Sequence, residues 1–250
     1  MGREVVNALC HEPETQVVGA VELQAPEEYL PLPDGLGTIP FSSDLAHILT
    51  TCQPDVLVEF TTAIAVTPAV HTATELGVNI VTGTTGLTSD TLNEIDRLSK
   101  AHNVGAVVAP NFSLGAILMI HLARVAAKYL DYAEIIELHH QHKVDAPSGT
   151  ALATARAMAQ ARGKAFHNPP EQGKTLASRG EEVEGITIHS VRLPGLMAHQ
   201  EVILGGPGQT LSIRHDTINR ECYMPGVILA VKEVINRKGL VYGLDTLLGL

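Results

Sequence analysis

The first 112 residues alternate between two hydrophobic patterns. Apolar positions three or four residues apart, typical of a helix with one buried face, alternate with short continuous apolar runs, typical of buried strands. Such alternation predicts right-handed crossovers and an α/β fold with a doubly wound, parallel, Rossmann-like sheet. The pattern predicts helices at residues 2–11, 44–51, 67–76 and 88–102, strands at 16–22, 38–41, 55–60, 79–82 and 104–109, and a loop at 23–37.

The pattern changes after residue 112. The hairpin predicted at residues 199–215 turns at Gly205-Gly206-Pro207-Gly208, and antiparallel pairing with few crossovers is expected throughout this region. It therefore resembles a separate α+β domain. The remaining predictions are helices at 115–130, 148–162 and 222–237, strands at 133–138 and 185–193, an exposed loop at 163–184, and an apolar segment at 240–250 able to dock.

Composition excludes several classes of protein. The net charge of −10 argues against binding nucleic acid through its phosphates. No apolar run reaches the roughly 18 residues of a membrane span, and residues 1–4 lack the apolar core of a signal peptide. Three widely spaced cysteines, Cys10, Cys52 and Cys222, are typical of a reducing cytoplasm rather than of a disulfide framework. No metal site is predicted.

The densest chemistry lies at residues 137–151, Glu-Leu-His-His-Gln-His-Lys-Val-Asp-Ala-Pro-Ser-Gly-Thr-Ala. Titratable bases cluster at the end of the predicted strand, and Ser148 can then cap a helix that begins at Gly149. The free backbone N–H groups of a helix start can bind a carboxylate or phosphate. A single histidine is as often structural as catalytic, and a Ser-Gly-Thr helix start is common. Together they favour acid–base chemistry on an anionic substrate.

This stretch closely resembles the signature of the dihydrodipicolinate reductase family. That signature has two histidines, a spacer and His-Lys, followed by Val-Asp-Ala-Pro-Ser-Gly-Thr-Ala. The resemblance extends from Met1 nearly to the C-terminus, and the later segments are most like the cyanobacterial or plant branch. It implies a discontinuous dinucleotide-binding domain at residues 1–112 and 222–250, and a substrate-binding and tetramerisation domain at 113–221.

The resemblance also implies a reaction. Members reduce 4-hydroxy-tetrahydrodipicolinate, via dihydrodipicolinate, with NADPH or NADH in the diaminopimelate route to lysine, and they are homotetramers. By resemblance, His139 is the acid/base residue and Lys143 the proton donor. His140, Lys143, Gly149 and Thr150 are expected to bind the carboxylates of the small dicarboxylate substrate. Positive charge at Lys143 suits a dianion in a site that excludes water.

The predicted cofactor residues follow strands, where parallel sheets bind ligands. Read alone, the glycine and threonine segment at residues 83–86 is an ordinary turn, although Gly83 would also let a nicotinamide approach the backbone. The resemblance favours the second interpretation. Glu22 would bind the ribose hydroxyls, which favours NADH. The expected cofactor residues are Gly2, Glu22, Gly83, Thr84, Thr85, Ala109, Pro110, Asn111 and Phe112.

The chain opens on a helix, and Gly2 resembles the last glycine of the family's glycine turn. We therefore expect the first strand, from the middle of the sheet, and the rest of the turn to be absent, and cofactor binding to be weak. This motivates an alternative function, a noncatalytic relative that binds the dicarboxylate. A homoserine or aspartate type of dehydrogenase lacks support, because those families do not carry the run from His139 to Thr150.

Overall fold

The computed structural model describes residues 1–25, 28–167 and 179–250. By its internal contacts the chain divides into two compact units. Unit 1 comprises Met1–Leu114 and Tyr223–Leu250, and unit 2 comprises Gly115–Cys222. The helices are α1 Gly2–Cys10, α2 Leu45–Cys52, α3 Ala63–Glu75, α4 Ser89–Ala101, α5 Leu114–Ala126, α6 Gly149–Arg162, α7 Met224–Val234 and α8 Leu244–Leu248.

The strands pair into separate sheets. They are β1 Ala20–Val21, β2 Tyr29–Pro31, β3 Thr38–Ser42, β4 Val56–Glu59, β5 Asn79–Thr82, β6 Gly105–Val108, β7 Tyr132–His139, β8 Glu181–Val183, β9 Ile186–Arg192, β10 Ala198–Gly206, β11 Gln209–Thr217 and β12 Gly239–Tyr242. Unit 1 holds a four-stranded parallel sheet in the order β12-β6-β5-β4 and a three-stranded sheet in the order β1-β3-β2. Within the described residues, β1 and β4 each pair with one other strand.

The four-stranded sheet of unit 1 is covered on both faces. Ile80 and Ala106 pack into a core with residues of α3 and α4. Val81 and Val107 point to the opposite face, which α7 contacts, and they are fully buried as well. Burial on both faces is what a parallel sheet with helical crossovers requires. The predicted doubly wound α/β fold is therefore confirmed.

Unit 2 is a mixed five-stranded sheet in the order β11-β10-β7-β9-β8, with α5 and α6 packed on one face. The prediction of antiparallel strands is right except at its centre, where β7 and β9 run parallel and α6 lies in the crossover between them. Ile135, Ile188 and Val202 form the core beneath Met119 of α5 and Met158 of α6.

Several predicted boundaries are wrong. Helix α3 begins at Ala63, so Pro68 lies inside the helix and not at its start. The predicted loop at 23–37 contains β2 and a short 3-10 helix, Pro33–Gly35. Of the strand predicted at residues 16–22, only Ala20–Val21 forms a strand, β1. Of the loop predicted at 163–184, residues 168–178 lie outside the described residues, and part of the remainder forms β8.

Candidate active site

The site in unit 2 is built at the end of β7, around a buried carboxylate. Because side chains alternate along a strand, Glu137 and His139 point to the same face of the sheet, the one that α6 covers. The Glu137 side chain is fully buried. Its Oε1 and Oε2 each accept a 2.8 Å hydrogen bond from Arg192 of β9, and Oε2 also lies 2.5 Å from His139 Nδ1. One carboxylate thus joins two strands.

These contacts keep Glu137 ionised. Burial alone would raise the pKa of its carboxyl group, because the low-dielectric interior penalises the charged form. Hydrogen bonds from His139, Arg192 and Ser190 outweigh burial and lower the pKa from 4.5 to about 2. An ionised carboxylate can only accept hydrogen bonds, so all its partners must donate.

The loop that follows β7 is tied to the same ion pair. The Lys143 ammonium donates to Asp145 Oδ1 at 2.7 Å and Oδ2 at 2.9 Å, and this hydrogen bond lowers the pKa of Asp145. Arg192 Nη2 donates to the backbone oxygen of Asp145 at 2.6 Å. Lys143 is therefore held indirectly by Arg192. An ammonium group has three donors, so a third N–H of Lys143 is left for a ligand.

Helix α6 begins beside these residues. The end of β7, the loop of Lys143 and the start of α6 together are called the corner of unit 2 below. The Ser148 hydroxyl accepts a 3.2 Å hydrogen bond from the backbone N–H of Ala151, which confirms the predicted cap. The backbone N–H of Ser148 itself donates to Glu137 Oε1 at 3.2 Å. Gly149 is exposed, and a Cβ there would meet no atom within 4 Å. The first turn therefore offers an open face with the positive end of the helix dipole behind it.

The backbone oxygen of Thr150 accepts the last hydrogen bond of a chain that begins at the buried side chain of Gln200. The Gln200 amide donates to Thr154 Oγ1 at 2.8 Å, and the Thr154 hydroxyl donates to the backbone oxygen of Thr150 at 2.7 Å. The other predicted ligand, His140, is half-buried, and its backbone N–H donates to Met197 at 3.4 Å. Its ring centroid lies 6.2 Å from that of His142.

In unit 1 two of the predicted cofactor residues, Gly83 and Thr84, lie beside a second buried carboxylate. Glu59 ends β4, and the register places it opposite Thr82, the last residue of β5. Glu59 accepts hydrogen bonds from the Thr82 hydroxyl at 2.5 Å, from the Thr84 hydroxyl at 3.0 and 3.1 Å, and from the backbone N–H of Thr61 at 2.5 Å. These bonds fix the turn that contains Gly83 and Thr84.

Gly83 has a packing reason that sequence analysis missed. A Cβ at this position would lie 2.0 Å from Cε1 of Phe60, so the glycine leaves room for that ring. The Phe60 ring in turn packs against the buried Phe112, with 5.7 Å between ring centroids. Asn111 Oδ1 accepts from the Ser113 N–H at 2.9 Å, which orders the turn after β6.

Of the other residues predicted to bind the cofactor, most are exposed, and one makes a backbone hydrogen bond to β5. Ala109 is buried, and its N–H donates to Thr82 at 3.0 Å; Pro110 and Thr85 are exposed. Gly2 begins α1 and Glu22 follows β1, and both are exposed. Glu22 Oε1 accepts a 2.9 Å hydrogen bond from the Leu23 N–H.

Both units match known proteins. The family description "Dihydrodipicolinate reductase, N-terminus" matches residues 1–112, and "Dihydrodipicolinate reductase, C-terminus" matches residues 115–248. The chain belongs to the dihydrodipicolinate reductase family. The 4-hydroxy-tetrahydrodipicolinate reductase of Dehalococcoides mccartyi is 55% identical over 250 residues, which cover 100% of this chain and 95% of that relative. The reductase of Moorella thermoacetica is 49% identical over 251 residues, with 99% and 94% coverage.

A solved structure of the same family agrees in fold. Dipicolinate-bound dihydrodipicolinate reductase from Paenisporosarcina sp. TG-14 matches with a TM-score of 0.87 and 37% sequence identity, over 98% of this chain and 94% of that one. The resemblance found from the sequence is confirmed at the level of the family. In the parts of the chain that the structure describes, no helix has both the length and the apolar character to cross a membrane. Those parts also hold no cluster of three or more His, Cys, Asp or Glu able to bind a metal ion.

Sequence analysis missed the residues that organise the corner in unit 2. His139, Lys143 and the start of α6 come together through Glu137, Arg192 and Asp145, none of which was assigned a role. Glu137 could have been found from its position two residues before His139 on one strand face. Arg192 could not, because 55 residues separate it from Glu137.

Proposed function

We propose that this member of the reductase family reduces 4-hydroxy-tetrahydrodipicolinate, via dihydrodipicolinate, to tetrahydrodipicolinate in the diaminopimelate route to lysine. The observation that carries the proposal is the corner of unit 2, where an imidazole, an ammonium group and an open helix start converge on the Glu137–Arg192 ion pair. Full-length relatives named as reductases favour this function over a noncatalytic dicarboxylate-binding protein.

The substrate is a small dicarboxylate, and the corner offers groups suited to its charges. Gly149 and Thr150, at the start of α6, would bind one carboxylate through backbone N–H groups and the Thr150 hydroxyl. His140 and the free N–H of Lys143 would bind carboxylate oxygens as well. Ordered partners hold the loop and the helix start before substrate arrives, which lowers the entropic cost of binding.

The reduction needs a hydride and a proton. NADH or NADPH, when bound, supplies the hydride. Lys143 would donate the proton, and His139 would act as the acid/base residue. The cofactor would be held by residues Gly2, Glu22, Gly83, Thr84, Thr85, Ala109, Pro110, Asn111 and Phe112. The turn fixed by Glu59 at the carboxyl end of β5 suits this role, because ligands of parallel sheets bind at that edge.

We further propose a cytoplasmic homotetramer. Cys10, Cys52 and Cys222 form no disulfide bond with one another, which suits a reducing compartment. On β7 and β10, Ile136 and Ile203 point away from α5 and α6 and are half-buried in the single chain. Apolar side chains on an open sheet face favour association with further copies.

The proposal is tested by following oxidation of NADH and of NADPH with freshly generated substrate. The Lys143→Ala variant should lower kcat by roughly 10²–10⁴-fold, the usual contribution of general acid catalysis. Lys128→Ala, which removes an exposed lysine of unit 2, is the matched control and should leave kcat unchanged. Thr150→Val should raise KM for the dicarboxylate by more than KM for the cofactor, since a hydrogen bond to a charged group contributes about 1.5–3 kcal/mol.

Each outcome has a separate meaning. No oxidation of either cofactor by the unmodified chain would reject the reductase function. Activity of Lys143→Ala within about threefold of the unmodified chain would remove Lys143 from the chemistry while leaving the function in place. A Thr150→Val variant that weakens only cofactor binding would move the α6 start to the cofactor site.

A further inference from the structure

Glu137 accepts hydrogen bonds from several donors at once. Two hydrogen bonds come from Arg192, one from the backbone N–H of Ser148, one from the His139 ring and one from Ser190, all to a carboxylate with no exposed surface. The bidentate guanidinium fixes the plane of the carboxylate. That plane, in turn, fixes the direction from which His139 can approach.

The geometry determines which imidazole nitrogen carries the proton. A neutral imidazole has one N–H donor and one acceptor nitrogen. Nδ1 lies 2.5 Å from a carboxylate oxygen that is paired with Arg192 and therefore ionised, so Nδ1 must be the donor. The proton of the neutral ring is thus on Nδ1. Nε2 is the nitrogen that can accept or give a proton to a ligand.

We propose that Glu137 is the positioning residue of this site, fixing His139 as the Nδ1–H tautomer so that Nε2 exchanges the catalytic proton, with Arg192 holding the carboxylate in place. The inference rests on the proposed function for the role of His139, but not for the tautomer itself. The same carboxylate also connects β7 to the start of α6 through Ser148. Arg192 connects it to the loop of Lys143 through the Asp145 backbone. One ion pair therefore aligns the His139 ring, the Lys143 ammonium group and the start of α6.

The tautomer is measured directly by nitrogen NMR of the chain labelled with ¹⁵N-histidine, at a pH where the ring is neutral. The His139 signal is assigned by its loss in His139→Asn. We expect a pyrrole-like Nδ1 and a pyridine-like Nε2. In Glu137→Gln the amide has a single acceptor oxygen, so the preference for the Nδ1–H form should weaken. A neutral His139 with its proton on Nε2 in the unmodified chain would overturn the inference, with or without enzyme activity.

Kinetics provide the second readout. Glu137→Gln should lower kcat by at least about tenfold, towards the roughly 10²–10⁴-fold contribution of acid–base catalysis, while KM for NADH or NADPH stays unchanged. The matched control is Glu134→Gln on the same strand. Glu134 also pairs with a histidine and an arginine, His189 and Arg179, but on the opposite face of the sheet.

The two readouts separate the possible failures. Equal kcat values for Glu137→Gln and Glu134→Gln would reject Glu137 as a positioning residue. An unmodified chain that shows the Nδ1–H tautomer but oxidises neither cofactor would reject the proposed function and leave the structural inference standing. Loss of kcat in Glu137→Gln together with a changed tautomer supports both.

Discussion

The stability of unit 2 should depend on pH through Glu137. Its pKa is lowered from 4.5 to about 2 because hydrogen bonds from His139, Arg192 and Ser190 outweigh the cost of burial. A carboxyl group whose pKa is lower in the folded protein binds protons more readily when unfolded. Its contribution is therefore complete above about pH 5 and is lost as the pH falls towards 2.

The size of the effect follows from the same values. Each pKa unit corresponds to about 1.4 kcal/mol, so the ionised Glu137 should contribute about 3 kcal/mol to the free energy of unfolding at neutral pH. About 2 kcal/mol of this should be lost by pH 3. Breaking a buried ion pair by removing one partner gives the same order of magnitude, about 3–5 kcal/mol. The side chain has no exposed surface, so solvent does not screen the interaction.

The assay is urea unfolding, followed by circular dichroism, of the unmodified chain and of Glu137→Gln at pH 7 and pH 3. The stability difference between them should shrink by about 2 kcal/mol at the lower pH, because the unfolded chain then binds a proton at Glu137 that the folded chain largely does not, whereas glutamine does not titrate. Glu134→Gln removes a half-exposed ion pair of the same strand and should cost less than about 1 kcal/mol at neutral pH. A difference for Glu137→Gln that is the same at both pH values would refute the reasoning.

Two further predictions concern association and packing. Sedimentation should give four times the 26.6 kDa chain mass, and Ile136→Glu should reduce it; a single-chain mass for the unmodified protein would contradict the proposed tetramer. Gly83→Ala should destabilise the chain by about 1–3 kcal/mol, because the added methyl group overlaps the Phe60 ring. Gly2→Ala, with open space at its Cβ, is the control for thermal unfolding. Relief of the Gly83→Ala effect by Phe60→Leu would confirm the clash, and no relief would locate the strain elsewhere.

Local patterns predicted most elements of the fold because each signal lies within a few residues. The cap of α6, at Ser148, was predicted from a hydroxyl just before a helical pattern. The start of α3 was wrong because Pro68 was assigned to the first turn, where proline is usual. Strand β2 was missed because the three prolines and two glycines of residues 23–37 predicted a loop. One of those prolines, Pro31, lies in β2 at a sheet edge, where proline is tolerated.

The candidate site was predicted only in part, for a different reason. The run from His139 to Thr150 is continuous in sequence, so its bases and its helix start could be seen together. The ion pair of Glu137 with Arg192 is a contact between strands far apart in the chain, and no periodicity records it. The need for glycine at position 83 was missed for the same reason. A larger residue there would overlap the Phe60 ring, which only the packed structure brings next to it.

The return of the chain to unit 1 has a consequence for folding during synthesis. Residues 115–222 form unit 2 without interruption, whereas unit 1 needs β12 beside β6, and Lys232 of α7 bonded to Glu12 at 2.8 Å. A ribosome therefore releases all of unit 2 before it supplies the last pieces of unit 1. Until then one edge of β6 lacks its partner strand β12. Unit 1 can therefore complete its sheet only after the 28 residues of Tyr223–Leu250 have been synthesised.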